Sequence, residues 1–303
     1  MSNKLYCIDI ANYLNSELIG DNLLLNDIVG IPNLKSNSLS FINKKNYQED
    51  IQTGALVIVI EGYNIDEKSH NSYIVSKTPR LDFIKVFNKF FKPEEEIKIS
   101  NTVKIGKNCN ISKNVSIGEY CVIKDNVYIG SGTVLNSHIV IEKNTVVGNN
   151  CYIKSGAIIG EDGFGFEQDE NGTPLRFPHI GNVTIGDNVE IGANTVIARG
   201  TFDSTTIQKN VKIDDHVFIA HNVIVGENTI ITASVEISGS VKIGKNCWIG
   251  PNATIRDGVV LGNDVFLGMA SVVSKNIKEK TKLAALSNLS YRDIVIIGKL
   301  SKK

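Results

Sequence analysis

An excess of charge of either sign is missing from this sequence: Lys plus Arg and Asp plus Glu are both 32 among 303 residues. A nucleic-acid binder presents a basic face to phosphates, so that class of partner is not expected. Long apolar runs are missing too. Nothing approaches the roughly 18–20 apolar residues that span a bilayer, so no transmembrane segment is expected. The opening stretch "MSNKLYCIDIANYLN" has no apolar core behind a basic start, which predicts no signal peptide and a cytoplasmic location. Cysteine is scarce and odd in number: Cys7, Cys109, Cys121, Cys151 and Cys247, with no Cys-x-x-Cys pair. That excludes a disulfide framework, and the spacings fit no zinc-ligand pattern, so no metal site is expected.

What the chain has in abundance is an aliphatic residue at every sixth position. The series begins Ile105, Ile111, Ile117, Ile123, Ile129, Leu135, Ile141, Val147, Ile153 and Ile159. It resumes at Ile185, Ile191 and Ile197, then runs unbroken from Ile207 to Val273. Gly often follows the anchor, as at Gly106, Gly130 and Gly244, and Asn recurs three places after it, as at Asn108, Asn126 and Asn246. A period of six is neither helical nor a simple strand alternation; it is the hexapeptide period of a parallel β-helix. Each hexapeptide makes one flat face and three make a coil, so side chains three hexapeptides apart stack, and the anchors amount to about eight coils. Asn tolerates the left-handed backbone that such corners require. Cys109, Cys121, Cys151 and Cys247 each stand two places before an anchor, where Val is usual, and read as small buried apolar residues.

The predicted fold is therefore mainly β, a left-handed parallel β-helix with a small N-terminal α/β domain and a short C-terminal helix. Residues 1–97 lack the period: "LYCIDIANYLN" reads as a helix, "GALVIVIEGY" and "SYIVS" as buried strands, and "LDFIKVFNKFF" as a helix ending at Pro93. Residues 98–280 carry the coils, and 281–303 form a tail able to make one amphipathic helix. The period breaks twice, giving loop insertions at 160–182 and 198–206. Loops on a rigid scaffold are where binding residues collect. The first, "GEDGFGFEQDENGTPLRFPHIG", is aromatic and glycine-rich, which singles out Asp162, Phe164 and Phe166 for substrate binding. Asp214 and Asn222, from the coils, join them as expected substrate-binding residues.

Taken in order, "LSFINKKNY", "TGALVIV", "GEDGFGF", "FPHIGNVTIGDNVEIGANT" and "IAHNVIVG" resemble the UDP-3-O-acylglucosamine N-acyltransferases of lipid A biosynthesis. The resemblance spans the whole chain, and "DGFGF" followed by "IAHN" is its most specific part. It implies a homotrimer with active sites between neighbouring prisms. It also implies transfer of a hydroxyacyl group from acyl carrier protein to the amine of a UDP-linked amino sugar, with no permanently bound cofactor. His221 matches the family's general base, and Gly239, one coil further on, matches the glycine whose N–H stabilises the oxyanion. Phe41 and Tyr47 match the aromatic pair on uracil, and Asn43 is expected to hydrogen-bond the base. The chain departs from the family at Phe218, Ala198, Glu236 and Gly258, the last standing where the family has a second histidine. A short-chain transfer from a coenzyme A thioester to another nucleotide amino sugar suits these departures too. Two further readings are an inactive trimeric scaffold and a carbonic anhydrase built on His138, His216 and His221. His138 and His216, however, occupy corner positions where Asn is usual, whereas His221 does not.

Overall fold

The computed structural model describes residues 4–47, 53–66, 69–93 and 97–284. Two compact units divide the chain, Met1–Glu95 and Glu96–Lys303. In the first, strands Asp27–Ile28, Ser38–Ile42, Leu56–Ile60 and Ser72–Ser76 form a parallel sheet in chain order. Side chains alternate across it. Leu39, Leu56, Ile58 and Ile74 pack with Cys7, Ile10 and Val86, while Ile42, Val57, Val59 and Tyr73 form a second cluster. Helix Cys7–Tyr13 starts where Asp9 accepts the Tyr6 N–H at 2.8 Å. Helix Pro79–Val86 places proline in its first turn, where a missing N–H costs nothing, and continues into a π-helical turn at Phe87–Phe91.

The second unit is the left-handed β-helix that the period of six predicts. Three parallel sheets of nine, eight and nine strands make the faces of a prism. The first face runs from Lys104–Ile105 to Val272–Val273, the second from Asn110–Ile111 to Val260–Leu261, and the third from Ser116–Ile117 to Lys282–Leu283. Anchors one coil apart lie in register, as Ile123 does with Ile141. Inside the prism Ile129, Ile141, Val147, Ile197, Ile219, Ile237 and Ile255 are fully buried, each worth roughly 1.5–3 kcal/mol of transfer from water. Cys121, Cys151 and Cys247 are buried among them, and Cys109, near the start of the stack, is partly so.

The corners explain the asparagines. Asn108, Asn126, Asn144, Asn210, Asn228 and Asn246 all have φ between 56° and 63°, the left-handed region that other residues enter at a cost of about 1 kcal/mol. Their amides also bond coil to coil: Asn108 Nδ2 donates to Asn126 at 3.3 Å and Asn126 to Asn144 at 3.1 Å. His138 and His216 occupy the same corner conformation, φ 61° and 59°, and His138 stacks on Tyr120.

The coils continue past Val273, where the period of six alone predicts a stop. Ile277 bridges Leu261, and Lys282–Leu283 pairs with Phe266–Leu267, so the start of the expected 281–303 helix is a strand of the third face. A step of four from Val273 to Ile277 hides these two anchors from a strict count of six. The remainder of the expected C-terminal helix, 285–303, lies outside the described residues. Among the described residues no helix is long and apolar enough to cross a membrane.

Candidate functional site on one edge of the prism

Four successive coils turn from the first face to the second, and each contributes at that edge. Strands Ile158–Glu161, Val196–Ala198, Phe218–Ile219 and Glu236–Ile237 are neighbours on the first face, with a shift of register between Ile159 and Glu161. The first insertion leaves after Ile158–Glu161 and the second after Val196–Ala198. His221 follows Phe218–Ile219, and Gly239 follows Glu236–Ile237. Both insertions, the histidine and the glycine therefore meet, although they are spread along the chain from Gly160 to Gly239.

The His221 ring is held by its neighbour. Its Nδ1 lies 3.0 Å from Asn222 Oδ1. That oxygen also accepts the Thr201 N–H at 3.0 Å and the Thr201 hydroxyl at 2.6 Å. A backbone N–H can only donate, so the Asn222 atom facing it is the amide oxygen, and Nδ1 must carry the proton it shares with that oxygen. The neutral ring then keeps its lone pair on Nε2, the form a general base needs. Asn222 is itself a corner residue with φ 61°, so one side chain serves the turn and the ring together.

Gly239 lies directly against that ring. A Cβ placed on it would sit 2.6 Å from His221 Cε1 and 2.7 Å from Nε2, so only glycine fits. At some places two residues past an anchor the N–H donates to a side chain one coil on: Lys107 to Asp125 at 2.7 Å, Ser131 to Asn149 at 2.9 Å, Lys245 to Asn263 at 2.9 Å. One coil beyond Gly239 stands Asp257, whose carboxylate instead faces Arg256 at 3.8 Å. Among the described residues nothing accepts the Gly239 N–H. Gly258, on the same edge, is a left-handed corner with φ 67° and brings no imidazole there.

The first insertion closes on His221 through its glycines. A Cβ on Gly163 would lie 2.6 Å from His179 Nε2 and 3.1 Å from His221 Cβ. Asp162 is tied down: the Arg199 Nε lies 3.4 Å from Asp162 Oδ1 and donates to the Gly160 carbonyl at 2.6 Å. Arg199 is 2 % exposed and also faces Glu142 at 3.8 Å. Ala198 beside it is buried. Phe164 and Phe166 pack ring to ring at 4.9 Å, with Arg176 over Phe166, and Phe164 is 84 % exposed. From the hairpin Phe166–Gln168/Pro174–Arg176 the chain returns through Phe177 to His179. The His179 ring stands edge to face with His221 at 5.4 Å between centroids.

His179 is the residue that the sequence reading passed over. Its signal is position: it is a polar residue just before the chain rejoins the coils at Asn182. Asp214 is not brought to this edge, because it follows Lys212–Ile213 on the third face and turns toward the first. His138 and His216 turn at that other edge, away from His221, and among the described residues no three metal-ligating side chains cluster. In the N-terminal unit Phe41 packs with the Leu39 cluster and meets Phe83 at 4.9 Å, whereas Tyr47 packs with the Ile42 and Tyr73 cluster. The two rings thus belong to different clusters of this unit. Asn43 Oδ1 accepts the Arg80 N–H at 3.2 Å, beside a cavity of about 410 Å³ lined by Thr78, Pro79, Leu81 and Ile84.

On the first face, Glu236 stands between Phe218 and Thr254, and desolvation there raises its carboxyl above the usual range.

Similarity to known proteins follows the same coils. The family described as bacterial transferase hexapeptide (six repeats) matches residues 102–137, 204–239 and 240–275. The hexapeptide repeat of succinyl-transferase matches 138–162 and 182–220. Among solved structures, LpxA from Acinetobacter baumannii is 29% identical over 62% of this chain and 71% of that one, with a TM-score of 0.55. LpxA, a UDP-N-acetylglucosamine acyltransferase from Bacteroides fragilis 9343, is 26% identical over 68% of this chain and 78% of that one, with a TM-score of 0.56. A further UDP-N-acetylglucosamine acyltransferase, 24% identical with a TM-score of 0.57, shares the fold. No curated protein sequence matches the chain. The stacked coils and the repeats matched along them place this chain in the hexapeptide-repeat transferase family.

Proposed function

We propose that the protein is an acyltransferase that moves an acyl group from a thioester to the amine of a UDP-linked amino sugar. The observation that carries this reading is the pairing of a histidine whose Nδ1 is held by Asn222, leaving Nε2 as the acceptor of its neutral form, and, one coil on, an unused backbone N–H at Gly239. Acyl transfer needs both, a base for the nucleophile and a donor for the oxygen that becomes negative. The amine nitrogen attacks the thioester carbon while His221 Nε2 takes its proton, and the Gly239 N–H stabilises the oxyanion. Collapse expels the thiolate, which recovers the proton from the imidazolium. Similarity to the UDP-N-acetylglucosamine acyltransferase of Bacteroides fragilis supports a nucleotide-sugar acceptor. Resemblance to the N-acyltransferases of lipid A biosynthesis favours the amine and a hydroxyacyl group from acyl carrier protein. Asp162, Phe164, Phe166 and Asn222 then border the acceptor, and Phe41, Asn43 and Tyr47 are the proposed contacts to the uracil.

The test offers purified protein UDP-linked amino sugars with thioesters of acyl carrier protein and of coenzyme A, graded in chain length. Transfer to the amine is expected, and His221→Ala should lower it roughly 100- to 10,000-fold while leaving the melting temperature near wild type. Transfer that is indifferent to His221→Ala would end this assignment of the base. Preference for acetyl-coenzyme A would take the protein out of lipid A synthesis.

A further inference from the structure

The mechanism above uses one imidazole, and the structure brings a second to it. His179 is 7 % exposed, and its Nδ1 lies 3.0 Å from the Phe177 carbonyl oxygen. A carbonyl can only accept, so Nδ1 is the protonated nitrogen and the neutral ring has its lone pair on Nε2. Among the described residues no donor meets that Nε2. Gly163 borders both the Nε2 edge of His179 and the root of the His221 side chain, and gives room to both by having no side chain. The two imidazoles thus stand edge to face, each with Nδ1 against a fixed oxygen, so that each in its neutral form offers Nε2 as an acceptor.

Two acceptors side by side suit a nucleophile with two donors. A primary amine has two N–H bonds and one lone pair, whereas a hydroxyl has a single O–H. Acceptors bonded at about 2.9 Å to one tetrahedral nitrogen lie roughly 4.7 Å apart, a separation that rings with centroids 5.4 Å apart can provide. We propose that His179 contacts the acceptor directly, its Nε2 taking one amine N–H while His221 takes the other, so that the pair selects an amine over a hydroxyl. With both N–H bonds held, the nitrogen lone pair is left as the only direction open to the thioester carbon. Leaving Nε2 of His179 unmatched is costly in a nearly buried place, which is how such a site rejects an acceptor one donor short. The inference rests on the acyltransferase reading and adds the residue that sets its nucleophile.

The experiment compares UDP-linked sugars that differ only in bearing an amine or a hydroxyl at the reacting carbon. Wild type is expected to favour the amine. His179→Phe and His179→Leu should lower kcat/KM for the amine about tenfold or more and leave the hydroxyl acceptor within about twofold, erasing the preference. His179→Gln, whose amide oxygen reaches the same place, should restore most of it, which a packing role alone would not. Equal losses for both acceptors, or no rescue by glutamine, would overturn the proposal. Equilibrium binding of the two sugars to the same proteins by calorimetry, with no thioester present, reads the contact independently of turnover. If wild type transfers no acyl group, the enzyme reading falls. His179 is then judged by binding alone: weaker amino-sugar binding in His179→Phe but not His179→Gln upholds the contact, and unchanged binding removes it.

Discussion

A single residue type, glycine, does two unrelated jobs in this protein, and only position tells them apart. Gly258 is a left-handed corner, where its φ of 67° is the reason for glycine. Gly239 is glycine because the His221 ring occupies the space a side chain would fill. Gly239→Ala should therefore change thermal stability little, since the backbone there is not left-handed. It should cut transfer about 100-fold or more by displacing the ring and covering the N–H. Steady-state kinetics beside a melting curve separate the two effects, and an alanine variant of full activity would remove Gly239 from the site. The resemblance singled out His221 and Gly239, and the step of three hexapeptides between them, simple arithmetic on the repeat, agreed with it. Sequence reasoning passed over His179 because an insertion has no period, and nothing in "FPHIG" says which way the imidazole turns.

At the scale of elements, the first insertion is held by one buried guanidinium. Arg199 gathers the Gly160 carbonyl, Asp162 and Glu142, and its Nη1 has no partner among the described residues. Removing one side of a buried ion pair strands the other, at a cost of about 3–5 kcal/mol, while Asp162 is half exposed and relaxes toward water. Arg199→Met should lower stability by about 2–4 kcal/mol and loosen residues 160–182, detected as faster proteolysis within the insertion. Cleavage no faster than in wild type would show that the loop is held by other contacts. The insertion's existence was legible as a break in the count of six. Its anchoring was not, because Arg199 reaches back to Asp162 and Glu142 over separations that are not whole numbers of coils.

At the largest scale, the second unit behaves as a stack, in which each coil is stabilised by the two beside it. Interior anchors should then matter more than terminal ones. Ile141 is fully buried between coils, whereas Ile105, in the first coil, is 45 % exposed. Ile141→Ala should destabilise by about 2–5 kcal/mol and Ile105→Ala by less than about 1 kcal/mol, read from denaturant midpoints. Equal costs would mean the stack does not melt coil by coil. The resemblance to trimeric acyltransferases carries one more expectation: light scattering should give three times the 33.1 kDa chain mass, and a stable monomer would leave the site without a neighbouring prism.

Repetition is what the sequence by itself determined. A side chain three hexapeptides on must lie one coil on, so the spacing of the anchors was enough to predict the prism, its buried isoleucines, its left-handed asparagine corners and the stacking of His221 on Gly239. Where the repeat is broken, that reasoning stops. The step of four before Ile277 hid the last coil, the Phe41 and Tyr47 rings went to different clusters, and Asp214 turned at another edge. Only the tertiary structure decided that both insertions leave the edge that holds His221, and that His179 returns beside it. The physical reason is that coil contacts recur at a fixed separation, while a loop is placed by hydrogen bonds and ion pairs to partners at no fixed distance along the chain.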